Sequence, residues 1–295
     1  MSFKINQEIA CCGGKLLKLS HQSSETKTAM DVNIYLPKQY YEEGITLIPV
    51  IYYLSGLTCS PQNATEKAFW QVQADKYGFA IVFPDTSPRG EKVPDDPEKG
   101  WDFGLAAGFY VDATQEPYKT NYRMFSYVHE ELPKELDSYF NKENTKIDFL
   151  DNVAITGHSM GGFGALSGYL KYYNRYKSCS AFAPIANPTN VPWGIKALSG
   201  YLGSDKELWA QYDPCSLVSE VDNTRQSTIL IHCGTKDPFL KDQLKPEQLQ
   251  EAVKNTSWEG KIDLKIVEGF DHSYFFISTF VPEHAEFHAK NLGLI

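Results

Sequence analysis

Asp151-Asn-Val-Ala-Ile-Thr-Gly-His-Ser-Met-Gly-Gly-Phe-Gly164 is the stretch on which the fold turns. An apolar, β-prone run, Val153 to Thr156, leads into the G-x-S-x-G formed by Gly157, His158, Ser159, Met160 and Gly161. A helix-prone segment follows, from Ala165 to Tyr173. A serine at a sharp strand-to-helix turn takes a backbone angle that bulky neighbours obstruct, and glycines two before and two after it remove the clash. The turn lifts the serine hydroxyl above the sheet and leaves the Met160 amide at a helix N-terminus, aimed at any anion that forms there. G-x-S-x-G alone arises by chance in many loops; the strand before it and the helix after it give this one its weight.

Outward from the elbow, strands alternate with helices. Upstream, Gly14 to His21 and Ala29 to Pro37 read as strands joined by a polar turn. The second alternates apolar and polar residues like an antiparallel edge. Leu47 to Leu54 is a continuous apolar run suited to a parallel strand buried on both faces. Asn63, with Glu66 three residues on, predicts a capped helix running to Tyr77 and stopping at Gly78. Phe79 to Pro84 is another buried strand, and a helix kinked near Pro133 is expected from Tyr122 to Phe140. Downstream, strands are expected at 179–185, 228–233 and 262–267, and helices at 246–255 and 282–290. Ser204 with Glu207 offers a further capping box. This alternation predicts an α/β fold with a mainly parallel sheet covered by helices on both faces, the α/β-hydrolase arrangement. We expect one domain over 1–295, with aromatic loop insertions near 91–120 and 187–204.

A net charge of −9 argues against nucleic acid or an anionic membrane as partner. No apolar run is long enough to span a bilayer. The N-terminal stretch has no signal-peptide core and the C-terminus no Ser-Lys-Leu ending, so cytoplasm is the expectation. The six cysteines include no C-x-x-C pair and read as free thiols. His284 and His288 share a helix face at i,i+4 spacing, but no third ligand is apparent, and a partly exposed face is expected rather than a metal site.

In open α/β sheets, ligands gather where strands end. Ser159 follows the elbow strand, Asp237 the 228–233 strand, and His272 the last strand. Ser, Asp, His is the chain order of an α/β-hydrolase triad. His272 would take the Ser159 proton and Asp237 would hold the imidazole tautomer. The bland readings are that Asp237, before Pro238, only opens a turn, and that Asp271 is the acid instead. His158 sits on the turn and reads as structural. The loop after the Leu47–Leu54 strand should carry a second oxyanion amide, with Leu57 as donor beside Met160. Cys59 then lies two residues from the oxyanion hole, close enough for thiol reagents or soft metals bound there to inhibit.

Tyr53-Leu-Ser-Gly-Leu-Thr-Cys59, Phe83-Pro-Asp-Thr-Ser-Pro-Arg-Gly90, Gly157-His-Ser-Met-Gly-Gly162 and Gly269-Phe-Asp-His-Ser-Tyr274 together resemble the S-formylglutathione hydrolase (esterase D) family over nearly the whole chain. The resemblance implies a triad of Ser159, Asp237 and His272 with oxyanion amides at Leu57 and Met160. It also implies a cytosolic homodimer that hydrolyses a small glutathione thioester and activated esters without a cofactor. A general small-acyl carboxylesterase or an acyltransferase on the same fold is the alternative. A formyl group needs a narrow acyl pocket, for which Trp101, Phe103 and Trp193 are aromatic candidates. Lys67, Arg89 and Lys196 are the basic residues nearest the active loops, and Lys196 is the one assigned to the anionic substrate.

Overall fold

A computed structural model describes residues 3–44, 47–142 and 145–295. Nine strands form one sheet in the order β1-β2-β3-β5-β4-β6-β7-β8-β9. They are β1 (Lys4–Cys11), β2 (Gly14–Gln22), β3 (Ala29–Leu36), β4 (Ile48–Leu54), β5 (Ala80–Pro84), β6 (Ile147–His158), β7 (Tyr176–Phe182), β8 (Ile229–Gly234) and β9 (Ile262–Val267). β1, β2 and β3 run antiparallel, β3 meets β5 antiparallel, and every later pairing is parallel. The parallel core is the most apolar part: every residue of β4, β5 and β8 is buried. That is what a sheet covered on both faces demands.

Several expectations are corrected. β3 is an interior strand between β2 and β5, and the edge is β1, whose polar sequence KINQEIAC is almost wholly exposed. The polar residues of β3 are satisfied inside: Asn33 donates to Thr65 Oγ1 at 2.9 Å and Tyr35 to Asp75 at 2.8 Å. The 63–77 segment is two helices, Pro61–Lys67 and Trp70–Tyr77, broken at Phe69 in the left-handed region (φ 60°). Ser60 is the N-cap, its amide donating to Asn63 Oδ1 at 2.9 Å. At 206–210 the cap is Asp205, not Ser204, accepting from the amides of Glu207 and Leu208. The expected kink at Pro133 is a wide π turn over Tyr127–Glu131, just before the proline enters the first turn of Leu132–Phe140.

The C-terminal helix matters most. It runs Tyr274–Asn291, passes straight through Pro282, and starts two residues after His272. Its buried face is apolar except for His284 and His288, which are fully buried, not partly exposed. His288 bonds Ser178 Oγ (2.7 Å) and Ser180 Oγ (2.8 Å). His284 bonds Ser180 Oγ (2.8 Å) and His232 Nδ1 (3.0 Å), and Ser180 meets Thr156 at 2.8 Å. The seam pins the helix to β6, β7 and β8. Among the described residues no cluster of His, Cys, Asp or Glu is arranged to hold a metal.

Burial keeps these imidazoles neutral: it lowers His288 from 6.5 to about 3, takes His284 well below its ordinary value and lowers His232. A neutral buried histidine contributes stability above the unfolded value near 6.5. That contribution is lost as pH falls from there towards the folded value, because the unfolded chain binds the proton first. We expect the urea midpoint to fall between pH 7 and pH 5, with each such histidine contributing about 1.4 kcal/mol per pH unit below 6.5. His288→Gln should flatten that slope. An unchanged slope in the variant would separate His288 from acid sensitivity.

Candidate active site

The site is built where β4, β6, β8 and β9 end. Ser159 follows β6 with φ 58° and ψ −117°, a backbone state rare outside glycine. Three main-chain bonds hold it: its amide donates to Phe182 O (2.9 Å), and its carbonyl accepts from Phe163 (3.0 Å) and Ile185 (3.3 Å). The glycines around it are required sterically. A Cβ on Gly157 would lie 2.2 Å from Gly161 O, and one on Gly161 would lie 2.0 Å from Leu54 O. Met160 opens the helix Met160–Lys171, so its amide stands at the positive end of that dipole.

His272 and Asp237, 35 residues apart in the chain, meet at 2.5 Å between Nδ1 and Oδ2. The Asp237 carboxylate is fully covered, and the His272 side chain is 16% exposed. The other carboxylate oxygen accepts from the Phe239 amide at 2.8 Å. The partially covered ring can meet substrate while its orienting partner is shielded from water. Asp271 is turned elsewhere: it accepts from the Ser273 amide (3.0 Å) and hydroxyl (2.6 Å) at the start of the C-terminal helix. Asp237 is thus the carboxylate bonded to His272, and the turn reading of Asp237 captures only its bond to Phe239.

β4 lies beside β6, as an oxyanion loop requires. Gly56 packs on the elbow so closely that a Cβ there would sit 3.1 Å from Ser159 Cβ. Leu57 is half-buried on this loop, which is tied down by Thr58 N to Ala106 O at 2.9 Å. Cys59 is buried with its sulfur 3.8 Å from the Tyr274 hydroxyl, and burial pushes its thiol above the ordinary value. Arg89 is held by Asp85 at 2.6 Å and bonds Cys59 O at 3.1 Å, so it serves this loop's framework. Lys67 lies over the Tyr274 ring, 5.9 Å from its centroid.

The two insertions converge on His272 through a chain of edge-on and tilted ring contacts. Trp101, 54% exposed, meets Trp193 edge-on at 5.4 Å; Trp193 meets Phe239 at 4.7 Å; Phe239 meets the His272 ring at 5.1 Å. Phe239 was not singled out in the sequence, although its place two residues after Asp237 was the available signal. Phe103 points into the insertion's own core, against Tyr201 (4.5 Å) and Tyr118 (4.9 Å). Lys196 bridges Asp96 (2.9 Å) and Asp102 (2.5 Å), joining one insertion to the other, so its charge is already matched.

Comparison with known proteins agrees with this geometry. The profile of the putative esterase family matches residues 23–287. An S-formylglutathione hydrolase of Saccharomyces cerevisiae is 64% identical over 298 residues, covering 99% of this chain and all of that protein. A solved S-formylglutathione hydrolase from Agrobacterium tumefaciens superposes with a TM-score of 0.89 at 42% identity, covering 98% of this chain and 99% of its own. A ferulic acid esterase (TM-score 0.69, 16% identity, 94% and 98% covered) shares the fold alone. The elbow, the order of its strand-end residues and these full-length similarities place the chain in the esterase family of α/β-hydrolases, with the S-formylglutathione hydrolases.

Proposed function

We propose that this chain hydrolyses the thioester S-formylglutathione to glutathione and formate through a formyl ester on Ser159. The reading is carried by the Asp237–His272 pair at 2.5 Å, with the His272 ring packed on that of His158, the residue before the elbow serine, in a chain 64% identical to an S-formylglutathione hydrolase. His272 takes the Ser159 proton as Oγ attacks the formyl carbon. The amides of Leu57 and Met160 receive the oxyanion, each donor worth about 3 kcal/mol of transition-state stabilisation. The C–S bond then breaks. A thiol's pKa near ~8.5 makes its anion a good leaving group, so the bond breaks with little proton donation, and the proton on His272 then passes to the departing thiolate, restoring the neutral imidazole. Water, deprotonated by His272, attacks the formyl ester; the proton returns to Ser159 Oγ, and formate leaves. Serine, imidazole, carboxylate and water complete the cycle without a cofactor.

Trp193 and Trp101, continued by Phe239, form the aromatic wall we assign to the acyl pocket. Lys196 ties the segments that carry the two tryptophans together through Asp96 and Asp102, and we assign Cys59, with Tyr274 beside it, to the other side of the pocket. One domain is supported by the single sheet that takes in all nine strands. The six free thiols suit the cytoplasm, and no described helix is long and apolar enough to cross a membrane. The homodimer reading is supported by an exposed apolar face, Phe69 (60%), Val72 (53%) and Phe275 (85%), of the kind that subunit contacts cover.

The test is kcat/KM for S-formylglutathione against S-acetylglutathione, S-butyrylglutathione and p-nitrophenyl acetate. A narrow formyl pocket should favour the formyl thioester by about 100-fold or more, since one added methylene costs 10–200-fold in a fitted site. A ratio near one would make the protein a general carboxylesterase. Acyl appearing on an added alcohol in place of water would make it an acyltransferase.

A further inference from the structure

His158 is the one ring at the site that the reaction above leaves without a part. It is buried, 6% exposed, and its ring centroid lies 4.4 Å from that of His272, tilted by 44°. Tyr274 backs it at 6.2 Å, and Gly56 packs against it so closely that a Cβ there would come within 3.3 Å of its Nδ1. Phe239 stands against the His272 ring edge-on, 5.1 Å away at 83°. Together with the bond from Nδ1 to Asp237, the general base is therefore held at one nitrogen and against two rings.

The choice of histidine is chemically odd for mere filling. Neither ring nitrogen makes a well-formed hydrogen bond, although the main chain of His272 lies close enough to act on the ring. A buried donor or acceptor left unpaired is costly, and a phenyl ring would occupy a similar slot without that cost. Burial, and then the neighbouring His272, hold His158 well below the ordinary histidine range, so it stays neutral and is a weak base. What it can do is brace. Polar contacts at an active site are often long before substrate arrives and tighten in the complex.

We propose that His158 is a positioning residue for the general base: its ring walls the His272 imidazole, and its ring N–H engages the His272 main chain as substrate binds. The proposal rests on the assignment of Ser159 and His272 as nucleophile and base. It adds a second support to Asp237, acting on the ring plane where Asp237 acts on the tautomer.

The experiment compares His158→Phe and His158→Ala with the native enzyme, using both S-formylglutathione and p-nitrophenyl acetate. Active serines are counted by titration with a fluorophosphonate, so that misfolded protein does not enter kcat. Misplacing a catalytic group by about 1 Å costs on the order of 100-fold. We expect kcat per active serine to fall by that order in His158→Ala and about tenfold in His158→Phe, with KM within about twofold of native in both. If kcat per titrated serine stays native in His158→Phe, and in His158→Ala where that variant folds, His158 only packs and the proposal is overturned. Ser159→Ala is the control: activity surviving there would remove the triad assignment itself. Failure on the thioester with normal aryl ester kinetics would touch the substrate assignment alone.

Discussion

Ser159→Ala and His272→Ala are each expected to lower kcat for S-formylglutathione by about 10⁶-fold, and the double variant by no more than either alone. The reason is that the two act as one unit: an imidazole with no hydroxyl to activate does nothing, and a hydroxyl without its base is a poor nucleophile at neutral pH. Asp237→Asn should retain the geometry and cost about 10⁴-fold, because an amide at 2.5 Å from Nδ1 favours the wrong tautomer. Residual turnover of about 10³-fold over water should remain in each case from binding and the oxyanion amides. Single-turnover rates on purified variants, with circular dichroism to verify folding, make the measurement. Additive losses in the double variant would show that the two residues do not share a step.

Gly161→Ala should be far more damaging to the fold than any change at the triad. The new Cβ would lie 2.0 Å from Leu54 O and 2.6 Å from Ser55 O, both main-chain atoms of the adjoining strand and loop. No side chain is there to swing aside. Relief requires separating β4 from the elbow helix, and we expect a loss of about 4 kcal/mol or more, in the range reserved for severe core lesions. Gly269→Ala is the matched comparison. It has a positive φ (84°), which Gly161 does not, but nothing stands within 4 Å of its Cβ, so only the backbone term of about 1 kcal/mol remains. Urea unfolding of both variants tests the contrast. Equal midpoints would mean that close approach of the elbow to β4 is not what the glycine serves.

The parallel half of the sheet and the strand ends were legible because their signals are local. Val153 to Thr156, Ile229 to Cys233 and Ile262 to Val267 are short apolar or alternating runs that end at the residues in question. β1 was not legible, since an exposed edge strand such as KINQEIAC has no buried face to impose a pattern. β3 looked like an edge because Asn33 and Tyr35 are polar; their partners, Thr65 and Asp75, are distant in sequence and visible only in the fold. The last helix was read from Pro282 onward because proline so often marks a helix start, yet Ser273 caps it a full two turns earlier. His284 and His288 failed for the same kind of reason. Their partners Ser178, Ser180 and His232 sit on two other strands, so the sequence shows the spacing and hides the burial. Phe239 and the ring contact of His158 are likewise properties of assembled loops.

The late position of the histidine loop bears on biosynthesis. Ser159 and His272 are far apart in the chain, and the helix Tyr274–Asn291 follows His272 directly. On the proposed mechanism, any fragment that stops before residue 272 carries a serine with no base. Chains truncated before His272 should therefore accumulate as inert protein rather than as unregulated esterase.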